Sequence, residues 1–426
     1  MFKPNLLSRT FKVCEVFRRN FTDLPPKNFK IERALLVTKL SRYEFERLRN
    51  PKLSETELEK TLRSRGTDYD TLIFLHNLHK NFEHRVAKNF KNAGVEVKLI
   101  NRVEFRTSLE KETLKWADVL IPIGGDGTFL LSANRASPLF AKGKHKTPIV
   151  GFNSDPERSE GRLMLRKQYS ENVEEAVKRI IKGDFKWMQR SRIRATLLGN
   201  NGEIPESVDL HGHAVSRMEQ EETRPEYLSP EFALKYRAKM KRILPYLALN
   251  EVFIGETMSA RVSHLQVVLN HSDVVNKTKC SGLCVSTGTG STSWHTRLET
   301  NNIYSAYNNI NRITNQHIED LKQVLPQLKE MNVNVGEVVE KYNQNLIFPA
   351  DDPRLCYSVR EQICVGVWPS PKEFPSKNFV DNIVVKSRCI DACLVIDGSI
   401  AYPFNDGAKV LLENHPEDAL LTISLD

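Results

Sequence analysis

The chain has 426 residues, 40% of them hydrophobic and 27% charged, and its 62 Lys and Arg against 53 Asp and Glu give a net charge of +9. This size and balance are typical of a folded protein of two domains and exclude a fully disordered chain. No stretch approaches the roughly 20 consecutive apolar residues that a membrane-spanning helix needs, so we expect no membrane partner. The positive charge fits polyanionic substrates. We expect no nucleic-acid partner, because no basic stripe is interleaved with aromatic residues.

The first residues of the chain have the composition of a targeting segment. Within residues 1–22 the basic residues face a single acid, Glu15, and are interspersed with Leu and Phe. Such a basic, acid-poor stretch predicts a mitochondrial transit peptide over residues 1–29, and therefore a protein of the mitochondrial matrix. A disordered basic tail is the alternative. A secretory signal is not expected, because no unbroken apolar core follows the positive residues.

The seven cysteines are an odd number in a long chain and predict no disulfide framework. The tightest histidine pair, His211 and His213, has no Cys or carboxylate at zinc-ligand spacing beside it. We therefore expect reduced cysteines and no metal site held by the protein alone.

Residues 30–184 alternate between predicted strands and helices. The apolar runs Ala34–Val37, Val119–Ile123 and Pro148–Phe152 are typical of buried parallel strands. A helical pattern covers Tyr69–Asn92. Alternating strands and helices predict an α/β domain with a parallel, Rossmann-like sheet.

Residues 185–406 predict a second, β-rich and β-sandwich-like domain, because short apolar segments recur with few helical patterns between them. Two polar stretches, near 217–241 and 301–342, are interpreted as insertions. We expect residues 407–426 to return to the first domain.

The most informative segment is the loop Gly124-Gly125-Asp126-Gly127-Thr128, directly after the strand predicted to end at Ile123. Ligands of open parallel sheets bind at the carboxyl ends of strands. Glycines let backbone N–H groups approach phosphate oxygens, and a helix predicted from Phe129 adds a favourable dipole. An aspartate beside phosphate is repulsive unless it accepts a proton from an attacking hydroxyl or helps to hold Mg²⁺. The loop thus predicts phosphoryl transfer; a Gly-Asp turn that only begins a helix is the alternative.

Four further segments follow or interrupt predicted strands. Asn250-Glu251 lies in an apolar run, where burial without partners is costly; a sugar diol is one partner, and an internal salt bridge or a cap is the other. The loop Thr287–Thr292 is rich in hydroxyls and suits polyphosphate or ribose, unless it is a flexible linker. Gly151–Pro156 is predicted to form the opposite lip of the same cleft. Asp397-Gly398 is interpreted, from the local sequence, as a hairpin turn.

These segments, in this order and spacing, resemble the NAD kinase family, which shares a GGDGT loop, a buried Asn-Glu pair, a Thr-Gly loop and a late Asp-Gly. Three runs are similar to the mitochondrial branch of that family: Asn153–Gly161, Arg42–Glu46 and Arg388–Cys393. The resemblance covers the chain from Ala34 to Asp406.

The resemblance implies transfer of the γ-phosphoryl group of ATP to the 2′-hydroxyl of the adenosine ribose of NAD, which yields NADP. It implies Asp126 as the catalytic base, or as the group that orients the hydroxyl and helps to hold the Mg²⁺ carried by ATP, and it implies no tightly bound cofactor. It also implies a homodimer, and an active site in the cleft between an α/β domain and a β-rich domain. The residues implied to contact the nucleotides are Gly125, Gly127, Thr128, Asn153, Asn250, Glu251, Thr287, Thr289, Gly290, Ser291, Thr292 and Asp397.

Three departures from the family pattern concern the contacts to the nicotinamide end. Ser281 stands where many relatives carry an acid, Ser293-Trp294 replaces Ala-Tyr, and residues 154–160 replace a glycine-rich stretch. Two alternatives remain open. Lipid kinases of the diacylglycerol and sphingosine type also contain GGDGT, although the Asn-Glu pair and Thr-Gly loop are not expected there. A catalytically silent NAD(H)-binding sensor is the other, and the intact Asp126 argues against it.

Overall fold

The structure is a computed structural model that describes residues 29–107, 111–140, 147–201, 205–210, 225–258, 260–292, 311–325, 334–363 and 374–426. These residues form two compact units. The N-terminal unit extends to Met188 and includes Leu420–Asp426, whereas the C-terminal unit comprises Gln189–Ala419. Within the described ranges, no helix has both the length and the apolar character needed to cross a bilayer. The predicted transit peptide and the pair His211 and His213 lie outside these ranges.

The N-terminal unit contains a four-stranded parallel sheet. Its strands are β1 (Arg33–Thr38), β2 (Glu96–Asn101), β3 (Val119–Gly124) and β4 (Phe152–Asn153). Its helices are α1 (Arg42–Arg49), α2 (Glu55–Ser64), α3 (Tyr69–Asn92), α4 (Arg102–Thr107), α5 (Lys111–Trp116), α6 (Asp126–Phe140), α7 (Lys167–Glu171) and α8 (Val173–Lys182). The strand order is β2-β1-β3-β4, so the direction of strand addition reverses between β1 and β3. In open α/β sheets this reversal marks the crevice where ligands bind.

The core of the N-terminal unit forms because β1 and β3 are apolar on both faces, as parallel strands between helices are. Residues Ala34–Val37 and Val119–Gly124 are all buried. Helix α3 begins at the N-cap Asp68, whose side chain accepts the Thr71 N–H. The side chains that α3 contributes to this core are Phe82, Val86 and Phe90, one helical turn apart. Ile423 and Leu425, from the end of the chain, pack into the same core.

The C-terminal unit contains two antiparallel seven-stranded sheets within the described residues. In chain order the strands from the unit boundary onwards are β5 (Lys186–Arg190), β6 (Ile193–Gly199), β7 (Val208–Asp209), β8 (Glu226–Tyr227), β9 (Met240–Ala248), β10 (Glu251–Glu256), β11 (Ser263–Leu269), β12 (Asn276–Cys280), β13 (Gly282–Ser286), β14 (Leu355–Arg360), β15 (Lys377–Val380), β16 (Asn382–Ser387), β17 (Ala392–Ile396), β18 (Ile400–Pro403), β19 (Lys409–Asn414) and, back in the N-terminal unit, β20 (Leu420–Ser424). The helices are α9 (Pro230–Tyr236), α10 (Gly288–Thr292), α11 (Asn315–Val324) and α12 (Val335–Gln344), with a 3₁₀ turn at Pro416–Asp418.

The two seven-stranded sheets bury one common apolar core, which makes this unit a β-sandwich. One sheet has the order β15-β14-β13-β10-β17-β18-β7 and the other β12-β11-β16-β19-β6-β9-β8. Alternate residues of the longer strands enter the core, for example Val252 and Ile254 of β10 and Ile383 and Val385 of β16. This period of two is what a sheet with one buried face requires.

The structure corrects three boundaries expected from the sequence. The helix expected from Phe129 already begins at Asp126. The strand expected over 148–152 is reduced to β4, preceded by an isolated bridge between Leu120 and Ile149. Residues 407–419, expected in the first domain, contain β19, which pairs with β16 and β6 and places Val410 and Leu412 in the sandwich core. Only Leu420–Asp426 belongs with the N-terminal unit.

Candidate active site

The glycine loop Gly124–Thr128 is the junction between β3 and α6, at the carboxyl edge of the parallel sheet. Strand β3 ends at Gly124 and α6 begins at Asp126, so Asp126 lies in the first turn of the helix. The Thr128 N–H donates to Gly125 O at 2.8 Å, which closes the turn. A Cβ added at Gly124 would lie 2.5 Å from Thr128 Oγ1, whereas one at Gly125 would meet only Ser159 Oγ, at 3.4 Å. Gly124 is therefore needed for close packing against Thr128, whereas a Cβ at Gly125 would make only an ordinary contact.

The Asp126 carboxylate is held by two backbone amides. Its Oδ2 accepts the Arg162 N–H at 3.1 Å, and its Oδ1 accepts the Leu163 N–H at 2.9 Å. Backbone donors to both oxygens and the N-terminal end of α6 stabilise a negative charge here.

Asn153 shapes the segment that supplies those two amides. Its side chain is buried, donates from Nδ2 to Ser159 O at 2.7 Å and accepts the Asp155 N–H on Oδ1 at 3.1 Å. The segment ends at Gly161, whose φ of +62° is unfavourable for other residues. The structure therefore shows Asn153 organising the loop that holds Asp126.

Lys39 is a residue of this region that the sequence analysis missed. It directly follows β1, and its N–H donates to Ile123 O at 3.0 Å. Burial lowers the pKa of its ammonium group, an effect that Asp155 opposes and Arg158 reinforces. The sequence feature that could have identified Lys39 is its position immediately after a buried parallel strand.

In the C-terminal unit, Asp397 organises the Asn-Glu segment. Its carboxylate accepts the N–H groups of Leu249 at 2.8 Å, Asn250 at 2.8 Å and Glu251 at 3.0 Å. Asp397 and Gly398 have positive φ values of 45° and 62° in the tight turn between β17 and β18. The hairpin interpretation of Asp397-Gly398 is therefore confirmed. Asn250 and Glu251 are both buried at the start of β10.

The hydroxyls of the Thr287–Thr292 loop hold it against neighbouring backbone. Thr287 Oγ1 donates to Leu249 O at 2.5 Å, and Ser291 Oγ donates to Gly288 O at 2.6 Å and accepts the Phe348 N–H at 3.0 Å. Arg190 Nη1 donates to Thr289 Oγ1 at 3.5 Å. Thr287, Thr289 and Ser291 are fully buried. The loop is thus an ordered element of the unit, and the flexible-linker alternative is wrong.

The glycines of this loop permit close backbone packing. A Cβ added at Gly288 would lie 1.7 Å from Pro349 O, and one at Gly290 would lie 2.3 Å from Asn250 O. A larger residue at position 290 would therefore push the loop away from the Asn-Glu segment, and one at position 288 would push it away from Pro349. The sequence predicted that this loop offers its small donors to a ligand; the structure shows that Thr287 and Ser291 also bond to neighbouring backbone, at Leu249 and Phe348.

Ser281, which stands where many NAD kinases carry an acid, has the carboxylate of Glu361 beside it. Ser281 Oγ donates to the Glu361 carboxylate, and the Ser281 N–H donates to Arg360 O at 3.0 Å. Ser293-Trp294, the second departure, lies outside the described residues. Thr292 ends α10. Within the described ranges, no group of three or more His, Cys, Asp or Glu residues is arranged to hold a metal ion.

Comparison with known proteins adds independent information. No family model matches the chain. The chain is 36% identical over 408 residues to "NAD kinase 2, mitochondrial" of Homo sapiens, which covers 93% of this chain and 85% of that protein. It is 35% identical over 423 residues to the protein of the same name from Xenopus tropicalis, with 94% and 92% covered. A crystal structure of an NAD kinase from Archaeoglobus fulgidus in complex with ATP aligns with a TM-score of 0.45 at 14% identity, over 92% of this chain and 93% of that one.

The relatives at 35–36% identity cover 93–94% of the chain. The chain therefore belongs to the NAD kinase family, in its mitochondrial branch.

Proposed function

We propose that this chain transfers the γ-phosphoryl group of ATP to the 2′-hydroxyl of the adenosine ribose of NAD, which produces NADP and ADP. The observation that carries the proposal, beside family membership, is the Asp126 carboxylate at the start of α6, held by the Arg162 and Leu163 amides at the edge of a parallel sheet. Phosphoryl transfer depends mainly on positioning and charge neutralisation, and this arrangement supplies an oriented anion beside a helix N-terminus.

Asp126 orients the 2′-hydroxyl and accepts its proton as the new P–O bond forms and the bond to the β-phosphate oxygen of ATP breaks. The two amide bonds support this role, because they fix the orientation of the carboxylate at the start of α6. Asp126, the carboxylate of the glycine loop, would help to hold Mg²⁺ carried by ATP, and the bound ion would supply neutralisation of the phosphate charge.

The first turn of α6 binds phosphate oxygens through backbone N–H groups. The N–H groups of a first helical turn have no partner four residues earlier in the helix, and the helix dipole favours an anion there. Gly125 and Gly127 supply these groups in our proposal. Thr128 contributes less than the family resemblance implies, because its N–H already donates to Gly125 O.

Residues of the C-terminal unit bind the dinucleotide. Asn250 and Glu251 contact the dinucleotide, and the loop Thr287–Thr292 lines the pocket that binds it. The support is that Asp397 and the loop fix the backbone on either side of Asn250, so that the pair is preorganised.

The protein acts in the mitochondrial matrix as a homodimer. The mitochondrial assignment is supported by the names of its relatives and by the basic, acid-poor residues 1–22. The homodimer rests on the family resemblance alone.

The test is a donor-by-acceptor activity matrix on the purified chain, with ATP and polyphosphate against NAD, NADH and diacylglycerol. We expect Mg²⁺-dependent NADP formation from ATP and NAD. Phosphorylation of the lipid would support a lipid kinase, and NAD binding without any turnover would support a sensor.

The role of Asp126 is tested by Asp126→Asn, which should reduce kcat by about 10²- to 10⁴-fold, the usual range for a general base. The matched control is Asp184→Asn, which removes an exposed carboxylate that pairs with Arg179 in the same unit. A folded Asp126→Asn protein with the wild-type rate would refute the assignment.

A further inference from the structure

Lys39 stands at the point where the parallel sheet reverses its strand order. It follows β1 directly, and β1 and β3 are the two strands between which the order changes. Its Cβ lies 3.1 Å from where a Cβ on Gly124 would be, so that the glycine leaves room for the lysine stem. Lys39 is thus in contact with the loop that carries Asp126, at the crevice where ligands of such sheets bind.

The backbone of Lys39 is fixed by a buried polar cluster on α3. His79 Nε2 lies 3.2 Å from Lys39 O and 2.9 Å from Thr38 Oγ1, and Thr38 Oγ1 donates to Glu83 at 2.5 Å. Burial lowers the pKa of His79 to about 3, so its ring is neutral and acts as a hydrogen-bonding support. A buried network of this kind determines where the lysine side chain begins.

The Lys39 ammonium group has no hydrogen bond or ion pair to any residue that the structure describes. Asp155, the acid that acts on its charge, is already paired with Arg158, the Nη2–Oδ2 distance being 3.0 Å. The Lys39 side chain is nevertheless half-buried. A half-buried cation without a partner loses part of its hydration and gains no compensating contact from the described residues. Such an arrangement is expected where an anionic ligand supplies the missing partner.

We propose that Lys39 binds phosphate oxygens of a substrate polyphosphate chain at the glycine loop and neutralises their charge. This inference rests on the proposed function for the identity of the substrates. The two sources of a polyphosphate chain are the triphosphate of ATP and the pyrophosphate of NAD. Both place several negative oxygens beside the first turn of α6, where the Lys39 charge and the helix dipole act together.

The first experiment needs no substitution. The full chain is treated with an amine-acetylating reagent, with and without saturating MgATP, NAD or inorganic tripolyphosphate, and the extent of acetylation of each lysine is measured by mass spectrometry. Lys30 is the matched control, because it lies near the opposite end of β1 and pairs with Glu32 on the surface. We expect one of these ligands to slow acetylation of Lys39 at least about tenfold and to leave Lys30 unchanged. Protection by MgATP or by NAD identifies the source. Equal labelling of Lys39 under all conditions would overturn the proposal.

The second experiment compares Lys39→Met, Lys39→Arg and Lys30→Met. We expect Lys39→Met to raise the KM or Kd for the protecting nucleotide about 10- to 100-fold, the usual effect of a lost charge-assisted contact. The melting temperature without ligand should stay level or rise, since a half-buried charge without a described partner is removed. Lys39→Arg should recover part of the affinity, and Lys30→Met should bind as the wild type does.

A Lys39→Met protein with wild-type KM values, or one whose loss of affinity is explained by lower thermal stability, shows that Lys39 is structural and overturns the proposal. Absence of any NADP formation by the wild type would instead refute the proposed function, and the tripolyphosphate labelling still tests Lys39 in that case.

Discussion

Gly161 lies against Asn153 so closely that a Cβ at position 161 would be 2.5 Å from Asn153 Nδ2. The next two residues, Arg162 and Leu163, donate the amides that hold the Asp126 carboxylate. The conformation of Gly161 therefore affects the orientation of Asp126, the candidate base. The link runs through the backbone N–H groups of Arg162 and Leu163, which a substitution of their side chains would not remove.

Gly161→Ala should therefore reduce activity although Asp126 is intact. The alanine is strained at φ +62° and must displace Asn153, which moves the two amides. We expect a fall in kcat of about 10- to 100-fold with a loss of about 1–3 kcal/mol in the free energy of unfolding, measured by steady-state kinetics and urea denaturation. Gly66→Ala is the control, because Gly66 has φ +81° with nothing within 4 Å of an added Cβ. Equal activity of the two variants would contradict this account.

Gly290→Ala should separate the Thr-Gly loop from the Asn-Glu segment. The added Cβ would lie 2.3 Å from Asn250 O and 2.8 Å from Asn250 C, and backbone atoms have little freedom to move. We expect a loss of about 1–3 kcal/mol or more in unfolding free energy and a raised KM for NAD. Gly199→Ala, where nothing lies within 4 Å of the new methyl group, should leave both quantities near the wild-type values. Unfolding by urea and the KM for NAD decide the comparison.

Asp397→Ala should disorder the segment Leu249–Glu251. Removal of the carboxylate leaves three buried N–H groups without their acceptor, and each unsatisfied group costs about 1–3 kcal/mol. Desolvation lowers the pKa of the buried Arg192 to about 10, and the charges of Asp418 and Asp397 oppose this shift, so removal of Asp397 leaves the Arg192 charge less compensated. We expect a strongly lowered melting temperature and weaker NAD binding. Asp381→Ala, at an exposed acid in the same unit, serves as the reference; similar melting temperatures for both variants would argue against a structural role for Asp397.

His79 should make the protein less stable in acid. Burial, with smaller contributions from Lys39 and Lys80, lowers its pKa to about 3 from the usual 6.5. Between pH 6.5 and pH 3, His79 is protonated in the unfolded state but neutral in the folded state. The free energy of unfolding therefore falls as the pH falls through this window, by at most about 1.4 kcal/mol per pH unit. We expect His79→Gln to show a shallower loss of unfolding free energy between pH 7 and pH 4.5 than the wild type. His84→Gln, an exposed residue of α3, should retain the wild-type slope.

Thiol reactivity should follow burial among the described cysteines. Burial raises the pKa of Cys280 to about 12 and that of Cys284 well above its usual range, and Cys356 and Cys389 are also buried. Because the thiolate is the reactive form, iodoacetamide at pH 7.5 should label the half-buried Cys393 first. Peptide mass spectrometry reports the order, and rapid labelling of Cys280 in the native protein would show that the sandwich core opens.

Much of the fold was accessible from the sequence because its signals are local. The apolar runs of β1 and β3 and the periodic pattern of α3 predicted these elements, and α3 was predicted with the residues it has in the structure, Tyr69–Asn92. The assignment of residues 407–419 failed because β19 is short and apolar, and such a strand suits the edge of an α/β domain as well as a sandwich. Only its pairing with β16 and β6 decides between them.

The sequence by itself determined the chemistry available to this protein: a GGDGT loop after an apolar strand, a buried Asn-Glu pair and a Thr-Gly loop, in the spacing of the NAD kinases. The tertiary structure decided what each residue contacts. Asn153 and Asp397 hold backbone segments, the glycines at 288 and 290 admit neighbouring carbonyl groups, and Lys39 comes beside Gly124. The physical reason is that residue type and spacing report local conformation, whereas hydrogen-bond partners far apart in the chain, such as Asp397 and Asn250, are selected only when strands pair and the core packs.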